Sequence, residues 1–431
     1  MIKEIRFINW KSFKDAKIYI DPLNVLIGTN ASGKSNLIDG IAFLTNAVNG
    51  INLQASLDGQ SGMFLEGAVG AIRGGTEYAA MMPGDQFTLE TVIQEDEKTD
   101  YKYTLTVRTK PQVELIAESL VKIICNKSKN KETNMFNAYC SDDKGENPSP
   151  IIAAHTSSGK GKPVSKDLKN YISAISQLKN YEITKEVSHA IHYVINTIEE
   201  IFIFDPVPSL MRDYKSFSPY LLKNASNLAG MIAALPEDKR QSIESQLTMY
   251  LSKLPEGEIT RVWTAPVGLF QKDAMLYCEE KWGSSENPTM IDARGMSDGT
   301  LRFLGILTAL LTRPSGSLIV IEEVDNGLHP SRATLLLKTM QEIGAQRDID
   351  LLITTHNPAL MDELGAEMIP FIQVVHRDTE DGTSKITLLE DIKMLPKLLA
   401  HGSVGELSTK GEIEKSLAQR KGEEGGISNE K

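Results

Sequence analysis

The chain has 431 residues, 41% hydrophobic and 24% charged, with 46 Lys and Arg against 57 Asp and Glu for a formal net charge of −11. That composition suits a globular protein with a large core, and its acidic balance argues against coating nucleic acid by charge alone. No apolar run reaches the roughly 18 residues of a membrane-spanning helix, the alternating start Met1-Ile2-Lys3-Glu4-Ile5-Arg6 is not a signal peptide, and Cys125, Cys140 and Cys278 are too scattered for a disulfide framework or zinc site. A reducing cytoplasm is the expected compartment.

In chain order, Ile2 to Ile8 and Ala16 to Ile20 read as strands, and Leu23 to Ile27 as a strand buried on both faces. Leu37, Ile38, Ile41, Leu44 and Val48 have helical spacing, stopped by Asn49-Gly50. Residues 51–85 are Gly-rich and irregular; Phe87 to Ile93, Tyr101 to Arg108 and Val113 to Ile124 read as strands. The polar stretch 125–170 reads as loop, and helices dominate 166–260. One helix carries the stripe Val187, Ile191, Val194, Ile195 and Ile198; another carries Ile243, Leu247, Leu251 and Leu254. The final third alternates: a buried helix at 301–311, strands at 317–321, 350–354 and 368–375, and an amphipathic helix at 331–343. The tail from about residue 419 reads as disordered.

Four segments carry chemistry. Gly28-Thr29-Asn30-Ala31-Ser32-Gly33-Lys34-Ser35 fits G-x-x-x-x-G-K-[ST] between a buried strand and a helix. Glycines let successive backbone N–H groups wrap phosphate oxygens at a helix N-terminus; Lys34 would reach the β- and γ-phosphates, and Ser35 would ligate Mg²⁺. Leu318-Ile319-Val320-Ile321-Glu322-Glu323 delivers two carboxylates at a strand end. Glu322 would hold Mg²⁺ through water, and Glu323 would orient or deprotonate an attacking water. His356, after the strand Leu351-Leu352-Ile353, could donate to a γ-phosphate. Met296-Ser297-Asp298-Gly299-Thr300-Leu301-Arg302 precedes the buried helix. It reads both as a helix cap and as an anion site, which are compatible.

These elements, in this order, resemble the ABC-type ATPase family, and the S-D-G-T form of the signature resembles its chromosome-maintenance and repair branch, including RecF-like and OLD-family ATPases. The opening Phe7-Ile8-Asn9-Trp10-Lys11-Ser12-Phe13 and the segment Glu322-Glu323-Val324-Asp325-Asn326-Gly327-Leu328-His329-Pro330 are similar to bacterial AAA-type ATPases of that branch. The likeness is strong over about 1–50 and 285–400 and weak between, where Ser226-Asn227-Leu228-Ala229 is a minor point of similarity. It implies an α/β P-loop NTPase head of ABC type with a mixed sheet and an inserted, mainly helical lobe. The expected division is 1–120, first head part; 121–261, lobe; 262–400, second head part; and 401–431, tail.

The resemblance also implies a mechanism. Two protomers would dock head to tail around two ATPs with Mg²⁺, as a homodimer or higher even oligomer. Ser297, Asp298 and Gly299 would serve in trans, Asp325 would line the seam, and Lys11-Ser12 would touch nucleotide. Gln94 and Gln177 both stand as candidates for the Q-loop. Only 75 residues follow His356, too few for the Toprim domain of OLD nucleases, and His189 and His192 share a helix face without a third ligand. The expected function is an ATP-driven switch acting on DNA and controlling a separate effector, a nuclease, in anti-phage defence of Septu-like, retron-linked or OLD-like kind. RecF-like repair and, further off, a transporter energy subunit are the alternatives. Segment 102–133 holds seven Lys or Arg against three Glu, and 160–169 four Lys against one Asp. These segments, with Lys127, Lys129 and Lys131, are candidates for DNA backbone contact or solvated loops.

Overall fold

The structure, a computed structural model, describes residues 1–59, 70–125, 130–139, 151–156, 164–256, 258–281 and 288–419. The chain forms two compact units: Met1–Ile201, Ile369–His401 and Lys410–Lys431 make the first, Phe202–Met368 and Gly402–Thr409 the second.

The first unit opens with a hairpin, β1 (Ile2–Trp10) and β2 (Phe13–Tyr19). Ile2, Ile5, Phe7 and Trp10 of β1 are buried. All five residues of β3 (Leu23–Ile27) are buried, as a strand covered on both faces requires. Next come α1 (Lys34–Val48) and α2 (Leu53–Asp58). Six antiparallel strands follow: β4 (Gln86–Gln94), β5 (Thr99–Arg108), β6 (Glu114–Ile124), β7 (Lys131–Tyr139), β8 (Ile151–Thr156) and β9 (Val164–Lys169). With the hairpin they make an eight-stranded sheet ordered β2-β1-β4-β5-β6-β7-β8-β9. The short α3 (Ala174–Leu178) and the longer α4 (Lys185–Glu199) complete this part; α4 buries the expected stripe. Glu118 of β6 is buried and caps the start of α3. It accepts Tyr103 Oη at 2.8 Å, Ile175 N at 2.8 Å and Ala174 N at 2.5 Å. Burial pushes its carboxyl up to about 7, against the pull of those three hydrogen bonds.

Strand β10 (Ile201–Phe204) leads into the second unit. There β11 (Lys215–Ser216), α5 (Leu228–Ala233), α6 (Glu237–Leu251), β12 (Ile259–Val267), β13 (Asp273–Glu280) and β14 (Thr289–Asp292) build a small antiparallel sheet with two helices. Helix α7 (Asp298–Thr312) is buried from Gly299 through Leu311, as its all-round apolar sequence predicts. A parallel β-α-β unit follows: β15 (Leu318–Ile321), α8 (Pro330–Arg347) and β16 (Asp350–Thr354), with Ile321 opposite Ile353. Then comes α9 (Pro358–Glu363). The chain returns to the first unit with β17 (Ile372–Arg377), parallel to β3, and β18 (Ser384–Leu388), antiparallel to β17. Three short helices end the described chain: α10 (Leu395–Leu399), α11 (Val404–Thr409) and α12 (Glu412–Gln419).

The α/β class with mixed sheets is as expected. Two details differ. Residues 131–139, 151–156 and 164–169, expected as loop at the front of a helical lobe, are strands that extend the first sheet. The expected division after residues 120 and 261 falls inside β6 and β12, because strand pairing carries the chain straight across both points. The tail beyond residue 419 lies outside the described residues. Among the described residues no helix is long and apolar enough to cross a membrane.

Candidate functional site

In the first unit, the segment Gly28 to Ser35 forms the turn from β3 into α1, the strand–loop–helix setting that the phosphate-loop chemistry needs. Its backbone is one that few residues adopt: φ is +148° at Gly28, +125° at Gly33 and +64° at Ala31. A Cβ on Gly28 would lie 2.2 Å from the Val375 carbonyl oxygen, and one on Gly33 would lie 2.7 Å from Ser384 Oγ. Residues of β17 and β18 hold the loop from behind. Arg377 Nε donates to the Ala31 carbonyl at 3.1 Å, and Ser384 Oγ donates to the Ser32 carbonyl at 2.5 Å. Asn30 is exposed, whereas the Ser32 hydroxyl is buried without a hydrogen-bond partner among the described residues. Lys34 Nζ folds back onto the Gly28 and Thr29 carbonyls, at 2.5 and 3.1 Å, over the mouth of its own loop. An anionic phosphate offers that ammonium a stronger, charge-assisted partner than two neutral carbonyls.

A cleft of about 450 Å³ in the same unit is lined by Lys11, Ser12, Asn36, Arg73, Tyr78 and Arg377, among others. It adjoins the loop through Asn36, on the first turn of α1, and Arg377. Lys11 is not a free cation there. Its side chain is buried, Nζ pairs with Asp39 at 2.6 Å and donates to the Arg73 carbonyl, and desolvation lowers its pKa against the opposing pull of Asp39. Ser12 Oγ accepts from Asn36 Nδ2 and is hydrogen-bonded to Ser384 Oγ, both at 2.8 Å.

The second unit holds the acidic pair where β15 ends. The parallel register sets Ile321 beside Ile353, so the residues just beyond meet the end of β16. Glu323 N donates to Thr354 Oγ1 at 2.8 Å, and Val324 N to the Thr354 carbonyl at 3.1 Å. This brings His356 to Glu323, Nδ1 to Oε1 at 3.6 Å, with both side chains about half exposed. Glu322 is half-buried. Its carboxylate and the Ser35 hydroxyl are hard oxygen donors, the chemistry Mg²⁺ prefers. Asp325 is buried and accepts the Thr355 hydroxyl at 2.7 Å.

Ser297 is the N-cap of α7, its Oγ accepting from Thr300 N at 3.1 Å, which makes the cap reading a fact of the structure. Arg332 of α8, a residue the sequence did not single out, donates to Ser297 Oγ and Thr300 Oγ1, both at 3.3 Å. It also leaves 3.2 Å between its Nη1 and a Cβ built on Gly299. Asp298 is exposed and pairs with Arg212. Arg302, one turn further along α7, is buried with its guanidinium against the Glu322 and Glu323 carbonyls.

Other candidates are engaged elsewhere. The Gln177 amide bonds Lys169 and Ile172 backbone atoms, whereas at Gln94 it is the backbone carbonyl that accepts from Tyr193 Oη. His189 meets Glu95, and His192 its own helix. Among the described residues no three His, Cys, Asp or Glu side chains gather as metal ligands. Of the basic segment, Lys102 pairs with Glu90, Arg108 with Glu114 and Lys122 with Glu186, while Lys110 is exposed. Lys127, Lys129, Lys160 and Lys162 lie outside the described residues, and Lys131 is exposed.

Several known proteins are similar to this chain. A 55-residue stretch is 46% identical to the chromosome partition protein Smc of Methanococcus voltae, which is 12% of this chain and 5% of that protein's length. A structure of the SmcHead bound to the C-winged helix domain of ScpA aligns with 90% of this chain and 96% of its own, at 11% identity and a TM-score of 0.48. The SMC head domain from Thermotoga maritima aligns with 90% of this chain and 98% of its own, at 14% identity and a TM-score of 0.40. The family described as "AAA domain, putative AbiEii toxin, Type IV TA system" matches residues 23–206 and 282–362, more than half of the chain. The matched residues include the loop at 28–35, the signature at 297–299, the acidic pair at 322–323 and His356. The chain belongs to that AAA-domain family.

Proposed function

We propose that the protein is an ABC-type ATPase that works as a nucleotide-driven switch. The observation that carries this reading is the Gly28–Ser35 loop, shaped by positive-φ residues and set at the N-terminus of a 15-residue helix. Its amides, Lys34 and the helix end would hold the phosphates, and Ser35 with Glu322 would hold Mg²⁺, whose chemistry when bound is to neutralise developing phosphate charge. Glu323 would orient and deprotonate the attacking water, with His356 beside it. Ser297 and Gly299 of a second protomer would reach the γ-phosphate, so that ATP favours a closed dimer and hydrolysis releases it. Size-exclusion chromatography tests the switch: Glu323→Gln with ATP should elute as a dimer, and Lys34→Ala as the nucleotide-free form does. Identical elution of both variants with and without ATP would sink it.

The switch would control a separate effector, a nuclease, in anti-phage defence, with DNA as the sensed or processed molecule. The family description, with its toxin and Type IV toxin–antitoxin wording, supports the defence setting. A phage challenge tests it: cells carrying the native locus should resist where cells carrying Lys34→Ala do not, and equal plaque counts would remove the defence role. The short likeness to a chromosome partition protein favours a second reading, a RecF-like repair or replication factor. That reading expects DNA-damage sensitivity on deletion, with no change in plaque counts.

A further inference from the structure

The backbone that carries the acidic pair is itself unusual. Glu323 has φ of +48°, a left-handed conformation that is strained for a residue with a Cβ. Two side chains from distant parts of the second unit hold its two backbone groups. Its N–H donates to Thr354 Oγ1 at 2.8 Å, and its carbonyl accepts both from Arg302 Nη2 and, within the turn, from Asn326 N, each at 2.9 Å. The same Nη2 reaches the Glu322 carbonyl at 3.2 Å. Nη1 donates to the Pro206 carbonyl at 3.1 Å and lies 3.6 Å from the Asp205 carboxylate. The Arg302 side chain is 5% exposed, whereas that of Asp205 is 66% exposed.

A buried guanidinium that ion-pairs so loosely is poorly explained as a stabilising salt bridge. Its planar fork suits another task, fixing several carbonyl oxygens at once in a set geometry. Arg302 also sits on α7, whose N-cap is Ser297. We propose that Arg302 is a positioning residue: it clamps the Glu322–Glu323 backbone so that the Glu323 carboxylate keeps its place beside His356, and it ties that placement to the helix that presents Ser297. This rests on the reading of Glu323 as the group that activates water. Arg302 touches no substrate and acts through the backbone it holds, with Thr354 as the second pin.

The test uses the full chain carrying Arg302→Met, Arg302→Lys or Thr354→Val, each alone and combined with Glu323→Gln. Misplacing a catalytic group lowers kcat without removing binding, so Arg302→Met should lose at least about tenfold in kcat, with affinity for a fluorescent ATP analogue within about threefold of wild type. Arg302→Lys, with one ammonium in place of a fork, should recover part of the loss, and Arg302→Met should shift the acid limb of the kcat–pH profile. Neither pin should cost anything further once Glu323 is Gln. If Arg302→Met does not fold, Thr354→Val decides by the same measurements. The inference is overturned by unchanged kcat in the variants, or by kcat and affinity falling together with losses that add to Glu323→Gln. A Glu323→Gln protein that hydrolyses normally would overturn the reading of Glu323 and this inference with it. An inactive Glu323→Gln beside fully active Arg302 and Thr354 variants would overturn this inference alone.

Discussion

The loop at 28–35 and the acidic turn at 322–325 both hold backbone that ordinary residues avoid, and they divide that task differently between glycine and distant partners. In the loop, glycine takes two of the three positive-φ positions, the sequence neighbours supply the strand and helix on either side, and Arg377 and Ser384 hold the Ala31 and Ser32 carbonyls. In the turn, the strained position is a glutamate, and Arg302 and Thr354, 21 and 31 positions away, hold its backbone together with the local Asn326 N–H. A left-handed conformation at a residue with a Cβ costs on the order of 1 kcal/mol, so a turn strained at Glu323 relies on its partners more than a loop in which glycine takes two of the three such positions. A site held from a distance couples its chemistry to whatever moves those distant elements.

The sharpest way to break this comparison is to remove the carboxylate and keep the turn. Glu323→Gln leaves the backbone that Arg302 and Thr354 hold, so fold and nucleotide affinity should be retained. The loss of a general base should lower kcat by about 10²- to 10⁴-fold in a steady-state ATPase assay. A kcat within a few-fold of wild type would place the base elsewhere. Next in size is the loop. Lys34→Ala removes one charge-assisted contact to phosphate and should weaken ATP binding by about 10- to 100-fold in a titration, with no change in thermal stability. Equal loss of affinity and of melting temperature would mean that Lys34 serves the fold through its bonds to the Gly28 and Thr29 carbonyls.

How much of each region was readable follows the same division. The loop, its flanking strand and helix, the acidic pair and His356 stand as contiguous patterns. What the sequence hid is pairing at a distance. Residues 131–139 read as loop because Lys131, Glu132 and Asn134 face solvent and the buried Met135, Phe136 and Ala138 break simple alternation. Only pairing with β6 and β8 makes that segment a strand. The sequence likewise hid that Glu90, Glu114 and Glu186 come opposite Lys102, Arg108 and Lys122 of the basic segment. Arg302 was visible as a letter of the signature, but nothing near it in sequence marks it as the partner of Glu323.

Glu118 offers a third contrast, a buried carboxylate that serves the fold of the first unit. Its carboxyl is raised from 4.5 to about 7 in the folded chain. Between those values the native state keeps a proton that the unfolded state has released. The stability it gives is therefore full below about pH 4.5 and is lost as pH rises through about 7. Across that window wild type should lose up to about 3 kcal/mol more than Glu118→Gln, read from urea midpoints at several pH values. Parallel pH curves for the two proteins would show that the hydrogen bonds from Tyr103, Ala174 and Ile175 already hold the carboxylate charged.

The smallest expected effect separates the two roles that Ser297 fills. As N-cap of α7 its hydroxyl satisfies Thr300 N, and a Ser→Ala change at such a cap costs about 1 kcal/mol. That loss should appear in Ser297→Ala as a small drop in urea midpoint, whether or not nucleotide is present. Aspartate is as good a cap as serine, so Ser297→Asp should restore the midpoint. The second role predicts the reverse. An aspartate carboxylate facing the γ-phosphate of a partner protomer repels it, so Ser297→Asp should be the poorer ATPase of the two even though it is the more stable. The ranking of the two variants by stability and by activity therefore runs in opposite directions if the hydroxyl meets phosphate. It runs in the same direction if the hydroxyl only caps the helix, and Arg332 would then be holding a structural serine.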